Sequence, residues 1–290
     1  MSEIWSNTDF PYMCLKDEKR TLAFRDAIRA VVRPGDVVVD VGAGSGILSF
    51  FAAAAGAGRV YAVEIDPVSA AALRRSIALN LQLSGRVTVV EGDASAVALP
   101  RAADVVVAEI IETGLVEEQQ VPVLNTLRRR GVITPATRLI PAGYETTLQP
   151  VTADHRYYGF AIAAPKHEWP FYGSGPGWHP TAVTPAGDAV TVMRVDFAAG
   201  PVDEIVAGEV DVEVDPAATV NAVRLAGRAA LAPNVTLGPT HALNGDKILP
   251  IGAFRGVARA TLSWRYRMGG GLGALELGCR PAAEARPRAA

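Results

Sequence analysis

The stretch DVVVDVGAGSGILSFFAAAAGAGRVYAVEID, which runs from Asp36 to Asp66, decides the fold of this chain. A run of β-branched residues at 37–41 predicts a buried strand, and an alanine-rich segment after it predicts a helix. Three glycines between them, Gly42, Gly44 and Gly46, predict a tight turn. A second strand at 60–63 ends in Glu64. A strand, a glycine turn, a helix and a strand in this order begin a parallel α/β sheet.

The glycine turn also predicts a nucleotide-like ligand, because backbone N–H groups at the start of a helix can approach such a ligand closely. The glycines do not follow the dinucleotide fingerprint G-x-G-x-x-G, since Ile47 stands where that fingerprint has its third glycine. Asp40 precedes the turn, and its carboxylate would repel a pyrophosphate but attract a ligand that carries an amino group and a sulfonium. Glu64 ends the next strand, where an acidic residue can hold ribose hydroxyls. This D-x-G-x-G-x-G pattern resembles motif I of class I S-adenosylmethionine (SAM) methyltransferases, so we expect SAM as the cofactor. A glycine turn without a ligand is the alternative.

The composition excludes several other classes of protein. The chain has 290 residues, of which 49% are hydrophobic, enough for the cores of one large or two ordinary domains. A net charge of −2 and a pI near 6.1 do not indicate a nucleic acid or an acidic membrane as a partner. Cys14 and Cys279 lie near opposite ends, so neither a disulfide framework nor a metal site is expected. No signal peptide and no membrane-spanning run is visible, and we expect a cytoplasmic enzyme.

Helices and strands alternate in the predicted structure as far as residue 141. Asp66 and Pro67 form a typical helix start, with an N-cap followed by proline. The sequence predicts helices at 16–32, 67–81 and 115–130, and strands at 86–91, 104–108 and 131–140. Four β-α repeats predict a Rossmann-like, doubly wound parallel sheet.

The pattern changes at Pro141-Ala142-Gly143, beyond which short alternating segments are separated by glycine and proline. These segments predict antiparallel strands at 144–148, 189–197, 209–214, 222–231 and 258–266. The aromatic stretch 167–180 is expected to form an ordered loop. We therefore predict a SAM-binding domain at 1–141, a mostly antiparallel, β-barrel-like domain at 142–280, and a tail at 281–290.

The residues after the fourth strand carry information about the acceptor. DNA and RNA amino-methyltransferases place D/N-P-P-Y/F there to bind a flipped base, whereas this chain has AEIIETGLVEE. The four carboxylates of Glu109, Glu112, Glu117 and Glu118 indicate a cationic substrate. The alternative is a solvated helix start, where the helix dipole favours glutamate. Asp93 follows the third strand at the same edge of the sheet and either accepts from an adenine amino group or caps a turn.

The segment from Cys14 to Thr21, C-L-K-D-E-K-R-T, resembles the M-L-K-D-E-x-R-T helix of the protein arginine methyltransferases. In that family two glutamates with eight residues between them grip a guanidinium, and Glu109 and Glu118 have the same separation. The family also joins a Rossmann-like domain to a β-barrel through a proline, as at Pro141. The resemblance thus implies SAM-dependent methylation of a guanidinium nitrogen.

The resemblance also implies a role for each matching residue. Arg20 would pair with the SAM carboxylate, Asp40 with its amino group and Glu64 with the ribose, and Asp93 would lie near the adenine. The Thr-His-Trp loop of the family is partly retained at 240–242, and His241 would approach Asp17 to lead a proton away. An ordinary loop histidine is the alternative for His241.

The chain departs from the family in three places. The tyrosine- and phenylalanine-rich helix before the K-D-E element is reduced to W-S-N-T-D-F-P-Y, the tryptophan of the Thr-His-Trp loop is missing, and 165–185 show no helical dimerisation arm. We therefore favour free L-arginine or a small guanidino metabolite as the substrate, as in natural-product biosynthesis. The alternatives are a protein arginine methyltransferase with a minimal barrel and a SAM-binding module without catalysis. A homodimer stays an open prediction.

Overall fold

The computed structural model of the chain describes residues 9–83, 85–100, 102–168 and 181–283. Its α-helices all lie in the first half of the chain: α1 (Phe10–Lys16), α2 (Glu18–Val31), α3 (Ile47–Ala54), α4 (Pro67–Leu79) and α5 (Gln120–Arg129). None of the helices in the described ranges is long and apolar enough to cross a membrane.

A five-stranded parallel sheet forms the first half, in the order β3-β2-β1-β4-β5. Its strands are β1 (Val37–Val41), β2 (Arg59–Glu64), β3 (Val87–Glu91), β4 (Val105–Ala108) and β5 (Arg138–Ile140). All four residues of β4 are buried, which explains its uninterrupted apolar sequence. The strand order reverses between β1 and β4, and such a switch point opens a ligand crevice at the carboxyl ends of the strands. The predicted Rossmann-like sheet is confirmed.

The N-terminal helix differs from its prediction, because 16–32 form parts of two helices instead of one. Asp17 separates α1 from α2 and caps α2, with its Oδ1 accepting from the Arg20 backbone N–H at 3.1 Å. The preceding helix begins at Phe10, in a segment without a periodic pattern, and has Pro11 in its first turn. A proline is tolerated there because the first N–H groups of a helix have no partner within it.

Two other predicted elements, the helix 115–130 and the strand 131–140, are shorter in the structure because turns interrupt them. The predicted helix 115–130 begins only at Gln120, because Gly114 and Leu115 have φ angles of 76° and 57°. The predicted strand 131–140 is regular only in β5. Before β5, the Thr137 hydroxyl accepts from the Thr134 N–H at 3.0 Å and closes a turn.

The second half of the chain is antiparallel. A seven-stranded sheet joins β6 (Gly143–Ala153), β9 (Lys166–Glu168), β10 (Val183–Pro185), β11 (Val190–Asp196), β13 (Val220–Ala232), β14 (Val235–Leu237) and β15 (Asp246–Phe254). A three-stranded sheet joins β12 (Ile205–Glu213), β16 (Arg259–Arg267) and β17 (Glu276–Pro281), and β7 (Arg156–Tyr157) pairs with β8 (Phe160–Ala161). The barrel-like second half is confirmed.

The sequence missed several of these strands, most importantly β15 and β17. Pro250 and Gly252 interrupt the alternation of β15 and disguise it as a loop. In the predicted loop 167–180, the first two residues belong to β9 and the remainder lies outside the described residues. The predicted tail begins with Pro281, which still belongs to β17, and 284–290 are not among the described residues.

Candidate active site

A cavity of about 230 Å³ opens at the carboxyl ends of β1, β2 and β4, and Phe10 and Pro11 of α1 line one side of it. Arg20 is the one lysine or arginine among its described lining residues. Six carboxylates also line it: Glu64, Asp66, Asp93, Glu109, Glu112 and Glu118. The cavity is therefore built to receive a positively charged ligand.

The glycine turn forms the floor of this cavity. The N–H groups of Gly42 and Ala43 both donate to the Val63 carbonyl, at 3.0 and 2.9 Å, and this anchors the turn to β2. Gly42 has φ +72°, and a Cβ there would lie 2.7 Å from an Ile110 methyl carbon. Gly46 has φ +83° and leaves no room for a Cβ beside Leu73. Glycine is thus required for both backbone conformation and close packing.

Glu64 is held rigidly at the end of β2. Its Oε2 accepts from the Gly44 N–H at 2.7 Å, and its Oε1 accepts from the Asp66 N–H at 2.8 Å. Each carboxylate oxygen has two lone pairs, so each can still accept one hydroxyl group. This geometry suits a ligand with two neighbouring hydroxyls, as in a ribose.

Asp40 lies behind the glycine turn and is not among the described side chains that line the cavity. It is buried, and its Oδ2 accepts from the Ser49 hydroxyl on α3 at 2.6 Å. Desolvation raises the pKa of Asp40 to about 6, against the opposing effect of that hydrogen bond. Asp40 therefore joins β1 to α3 beneath the turn, and a contact with the cofactor stays a prediction.

Asp93 closes a turn at the cavity edge, and its contact with an adenine stays a prediction. It lines the cavity, and its Oδ1 also accepts from the Ser95 N–H at 2.8 Å, which forms a local turn. The preceding Gly92 has φ +131°, and a Cβ at that position would lie 2.7 Å from a Val97 methyl carbon. Asp93 is therefore fixed at the cavity edge after β3.

Arg20 and Glu109 form an ion pair on the cavity wall, although the sequence assigned them to different ligands. Arg20 is buried, its Nη1 donates to the Cys14 carbonyl at 3.4 Å, and its Nε has no hydrogen-bond partner among the described residues. Burial raises the pKa of Glu109, and the neighbouring Arg20 opposes that shift. A buried guanidinium with an open donor fits a ligand carboxylate, because such a donor is costly to leave unpaired.

Glu118 faces the same cavity, near the positive charge of Arg20. It has no hydrogen-bond or ion-pair partner in the described part of the chain, and it is partly buried. Desolvation raises the pKa of Glu118 well above its ordinary value, and the charges of Glu109 and Glu112 raise it further. A carboxylate in this environment favours a bound cation strongly, because the cation replaces the hydration that burial removed.

Asp17 and His241 are not brought together in the way that the resemblance implied. Asp17 is buried, and its Oδ2 accepts from the backbone N–H of Ala242 at 2.7 Å. The His241 side chain is exposed, and within the described residues no hydrogen bond or ion pair joins it to Asp17. The loop at 240–242 thus reaches the α2 cap through its backbone, and a proton path through His241 stays a prediction.

Sequence reasoning missed the residues from the antiparallel half that hold the segment 109–118, here named the carboxylate loop. Tyr144 and Tyr266 bind the two backbone polar groups of Gly114, which belong to the peptide units before and after its Cα. The Gly114 N–H donates to the Tyr144 hydroxyl at 3.1 Å, and the Tyr266 hydroxyl donates to the Gly114 carbonyl at 3.0 Å. Lys247 of β15 pairs with Glu112 and Glu117. The one available signal was a lysine at the start of the apolar run K-I-L-P-I.

Comparisons with known proteins agree with this architecture. A family model described as TRM5/TYW2 methyltransferase domain matches residues 18–138. The chain is 30% identical over 269 residues to "Uncharacterized protein MJ1452" of Methanocaldococcus jannaschii. The matched region spans 92% of this chain and 95% of that protein. It is 40% identical over 130 residues to "Probable histone-arginine methyltransferase CARM1" of Oryza sativa subsp. indica, spanning 45% of this chain and 24% of that relative. The predicted resemblance to the protein arginine methyltransferases is confirmed over the first half of the chain. The chain is a SAM-dependent methyltransferase, so the predicted enzyme class and cofactor are confirmed.

The fold of this arginine methyltransferase relative is shared with a solved complex. The structure titled "Trypanosoma brucei PRMT1 enzyme-prozyme heterotetrameric complex with AdoHcy" superposes with a TM-score of 0.68 at 22% identity, covering 88% of this chain and 86% of that chain. At this identity the likeness shows the fold. It agrees with the parallel sheet followed by a barrel-like half described above.

Proposed function

We propose that this methyltransferase transfers the methyl group of SAM to a guanidinium nitrogen. The observation that carries the proposal is Glu118, a partly buried carboxylate that faces the cavity beside Glu109 and forms no ion pair with another described residue. A guanidinium supplies a planar fork of N–H donors, which matches two carboxylates at one site.

The same proposal assigns the cofactor to the β1 and β2 side of the cavity. Arg20 would hold the cofactor's carboxylate with its unpartnered Nε, and Glu64 would accept the two ribose hydroxyls with its remaining lone pairs. Asp93 at the end of β3 would accept from the adenine amino group. The negative charge of Asp40 would attract the amino group of the cofactor from behind the turn. The hydrogen bond from Ser49 holds the Asp40 carboxylate in that place.

The carboxylates have to make a poor nucleophile react. A guanidinium has a pKa above about 12, and resonance occupies its nitrogen lone pairs. SAM, when bound, supplies a methyl group on a positively charged sulfur. Glu109 and Glu118 would bind the N–H groups, draw the positive charge away from the attacking nitrogen, and orient that nitrogen.

The reacting nitrogen must also lose a proton after methyl transfer. Glu118 is suited to accept it, because burial raises its pKa and makes it a stronger base than an ordinary glutamate. The route through Asp17 and His241 has less support. Both Asp17 oxygens already accept backbone N–H groups, and His241 is exposed.

The choice of acceptor rests on the charge of the cavity. Free L-arginine would bring an α-carboxylate towards six carboxylates and Arg20, the one lysine or arginine among the described lining residues. That mismatch favours a guanidino group without a nearby carboxylate. A small guanidino metabolite satisfies it, and so does arginine within a peptide chain, which supports the protein arginine methyltransferase alternative.

One assay separates these acceptors. The protein is incubated with SAM labelled in the methyl group and with L-arginine, agmatine or an arginine-rich peptide. Agmatine carries the guanidino group of arginine without its carboxylate. We expect transfer to agmatine or the peptide to exceed transfer to L-arginine, and we expect Glu109→Gln to abolish it. Glu276→Gln on the exposed face of β17 is the matched control. SAM binding without transfer to any of the three would refute the proposed function and favour a non-catalytic module.

A further inference from the structure

Lys247 lies in an ionic cluster between the two halves of the molecule. Its ammonium pairs with the carboxylates of Glu112 and Glu117 and lies 3.5 Å from Nδ1 of His167. Only 1% of Lys247 and 2% of Glu112 are exposed. Lysine is almost never this deeply buried unless it is paired, so the cluster represents a specific arrangement and not a surface contact.

The cluster supplies its own cation. Glu112, Glu117 and His167 offer ligand atoms that all lie within 4.8 Å of one another, as a metal ion would need. The Lys247 ammonium contacts all three of these side chains and occupies that position. Burial and the Lys247 charge lower the pKa of His167 to about 3, so its imidazole is neutral and adds no second positive charge. The cluster is therefore a structural clamp with Lys247 as its cation.

This clamp closes the carboxylate loop on itself. Glu112 Oε2 accepts from the Glu117 backbone N–H at 3.2 Å, while Lys247 joins the two side chains. The Thr113 hydroxyl between them donates to the Gly245 carbonyl at 2.6 Å, next to the start of β15. Glu112 and Glu117, the two ends of the clamped part of the loop, are thus both attached to β15 through Lys247.

Glu117 is the last residue that Lys247 holds, and it directly precedes Glu118, the carboxylate proposed to bind the acceptor. Glu117 turns towards Lys247 and does not line the cavity among the described residues, whereas Glu118 does. Adjacent side chains in an extended or bent segment point in different directions, so holding one of them sets the direction of the other. Glu109, at the opposite end of the loop, is held independently by Arg20.

We propose that Lys247 is a positioning residue for the acceptor guanidinium: by holding Glu112 and Glu117, it keeps the Glu118 carboxylate directed at the cavity. This inference rests on the proposed function, since it assumes that Glu118 binds a guanidinium. It differs from a role in stability alone, because it requires an effect on acceptor binding that is absent from cofactor binding.

A pair of substitutions with equal charge tests the inference. Glu117→Gln keeps an oxygen that can accept from Lys247, whereas Glu117→Ala removes it, and both lose the same negative charge. Binding of ethylguanidine to protein saturated with S-adenosylhomocysteine is measured by calorimetry. We expect Glu117→Ala to weaken ethylguanidine binding by about tenfold or more, because misplacing one of two gripping groups is costly. We expect Glu117→Gln to stay within about threefold of wild type, because it retains a hydrogen bond to Lys247.

Lys247 itself is tested by Lys247→Met. It should weaken ethylguanidine binding at least as much as Glu117→Ala, with S-adenosylhomocysteine affinity unchanged within about twofold. If the buried glutamates leave this variant unfolded, the half-buried Glu117 pair still decides the question. Arg138→Met is the matched control, because it also breaks a partly buried ion pair, with Asp36, away from the cavity. It should keep both affinities.

The outcomes are distinguishable. Wild-type binding of ethylguanidine that Glu117→Ala and Lys247→Met leave unchanged would overturn the positioning role and leave the proposed function intact. A wild-type protein that binds S-adenosylhomocysteine but not ethylguanidine would overturn the proposed function and this inference with it. Equal losses in both glutamate variants would show that the charge of Glu117 matters and its attachment to Lys247 does not.

Discussion

Replacing Glu118 by glutamine should stabilise the protein and at the same time weaken acceptor binding. Glutamine keeps the size of the side chain and removes its charge. The charge is costly in the ligand-free protein, because Glu118 is partly buried and forms no ion pair with another described residue. The same charge is needed once a guanidinium enters. The substitution therefore has opposite effects on folding and on function.

The size of both effects follows from the site. Removing a buried charge that lacks a partner raises the free energy of unfolding by about 1–3 kcal/mol. Each kcal/mol would raise Tm by about 2–4 °C in a protein of this size. Removing one member of a buried charge pair costs about 2–5 kcal/mol, which lowers kcat/KM for the acceptor roughly 30- to 5,000-fold. The SAM affinity should stay within about twofold, because Arg20 and Glu64 are unchanged.

The stability gain should depend on pH in a defined direction. The pKa of Glu118 is higher in the folded protein than its ordinary value of 4.5. Below pH 4.5 both states carry the proton, and wild type and variant should differ little. As the pH rises above 4.5 the unfolded chain loses its proton first, so wild type loses stability relative to Glu118→Gln until the folded pKa is passed.

Thermal unfolding at pH 4.5 and pH 8 and steady-state kinetics with labelled SAM measure both effects. Glu276→Gln is the control for a glutamate on the surface and should change neither quantity. The reasoning would be refuted by a Glu118→Gln variant that is less stable than wild type at pH 8. It would also be refuted by one that retains wild-type kcat/KM.

Three further substitutions test other parts of the site. SAM affinity, measured by calorimetry, should fall as the pH drops through about 6, where Asp40 gains a proton. Ser49→Ala should move that loss of affinity to higher pH, because it removes the hydrogen bond that favours the Asp40 carboxylate. Gly46→Ala should lower the free energy of unfolding by about 1–3 kcal/mol or more and abolish SAM binding, because its left-handed backbone has no room for a Cβ; wild-type affinity would contradict this. Tyr266→Phe should lower acceptor kcat/KM about tenfold with SAM affinity unchanged, because it removes the hydroxyl that holds the Gly114 carbonyl; a parallel loss of SAM affinity would argue against a local effect.

The cofactor half could be predicted from the sequence because its signals are local. The strand β1, the glycine turn and Glu64 follow one another within 30 residues, and the hydrogen bonds that join the turn to Val63 and Glu64 stay within that stretch. The N-cap of α4 was likewise predicted from Asp66 and Pro67, and the structure shows Asp66 accepting from the Val68 and Ser69 N–H groups. Short-range backbone requirements leave a readable pattern in residue types.

The acceptor half could be predicted only in part, because its geometry depends on contacts that are distant in sequence. The spacing of Glu109 and Glu118 pointed to a segment that lines the cavity. Their surroundings depend on Lys247, which lies 130 residues from Glu117. The loop at 240–242 reaches Asp17 through the Ala242 backbone, which every residue type except proline could provide. Such a contact leaves no signature in the sequence.

The grip on the carboxylate loop comes from three antiparallel strands, through Tyr144 of β6, Lys247 of β15 and Tyr266 of β16. The groups assigned to the cofactor belong to the parallel half of the chain. Selection can therefore alter which molecules are methylated through changes in the barrel strands, while the machinery that handles the methyl donor is inherited intact. A protein divided in this way can acquire new acceptors without first giving up its chemistry.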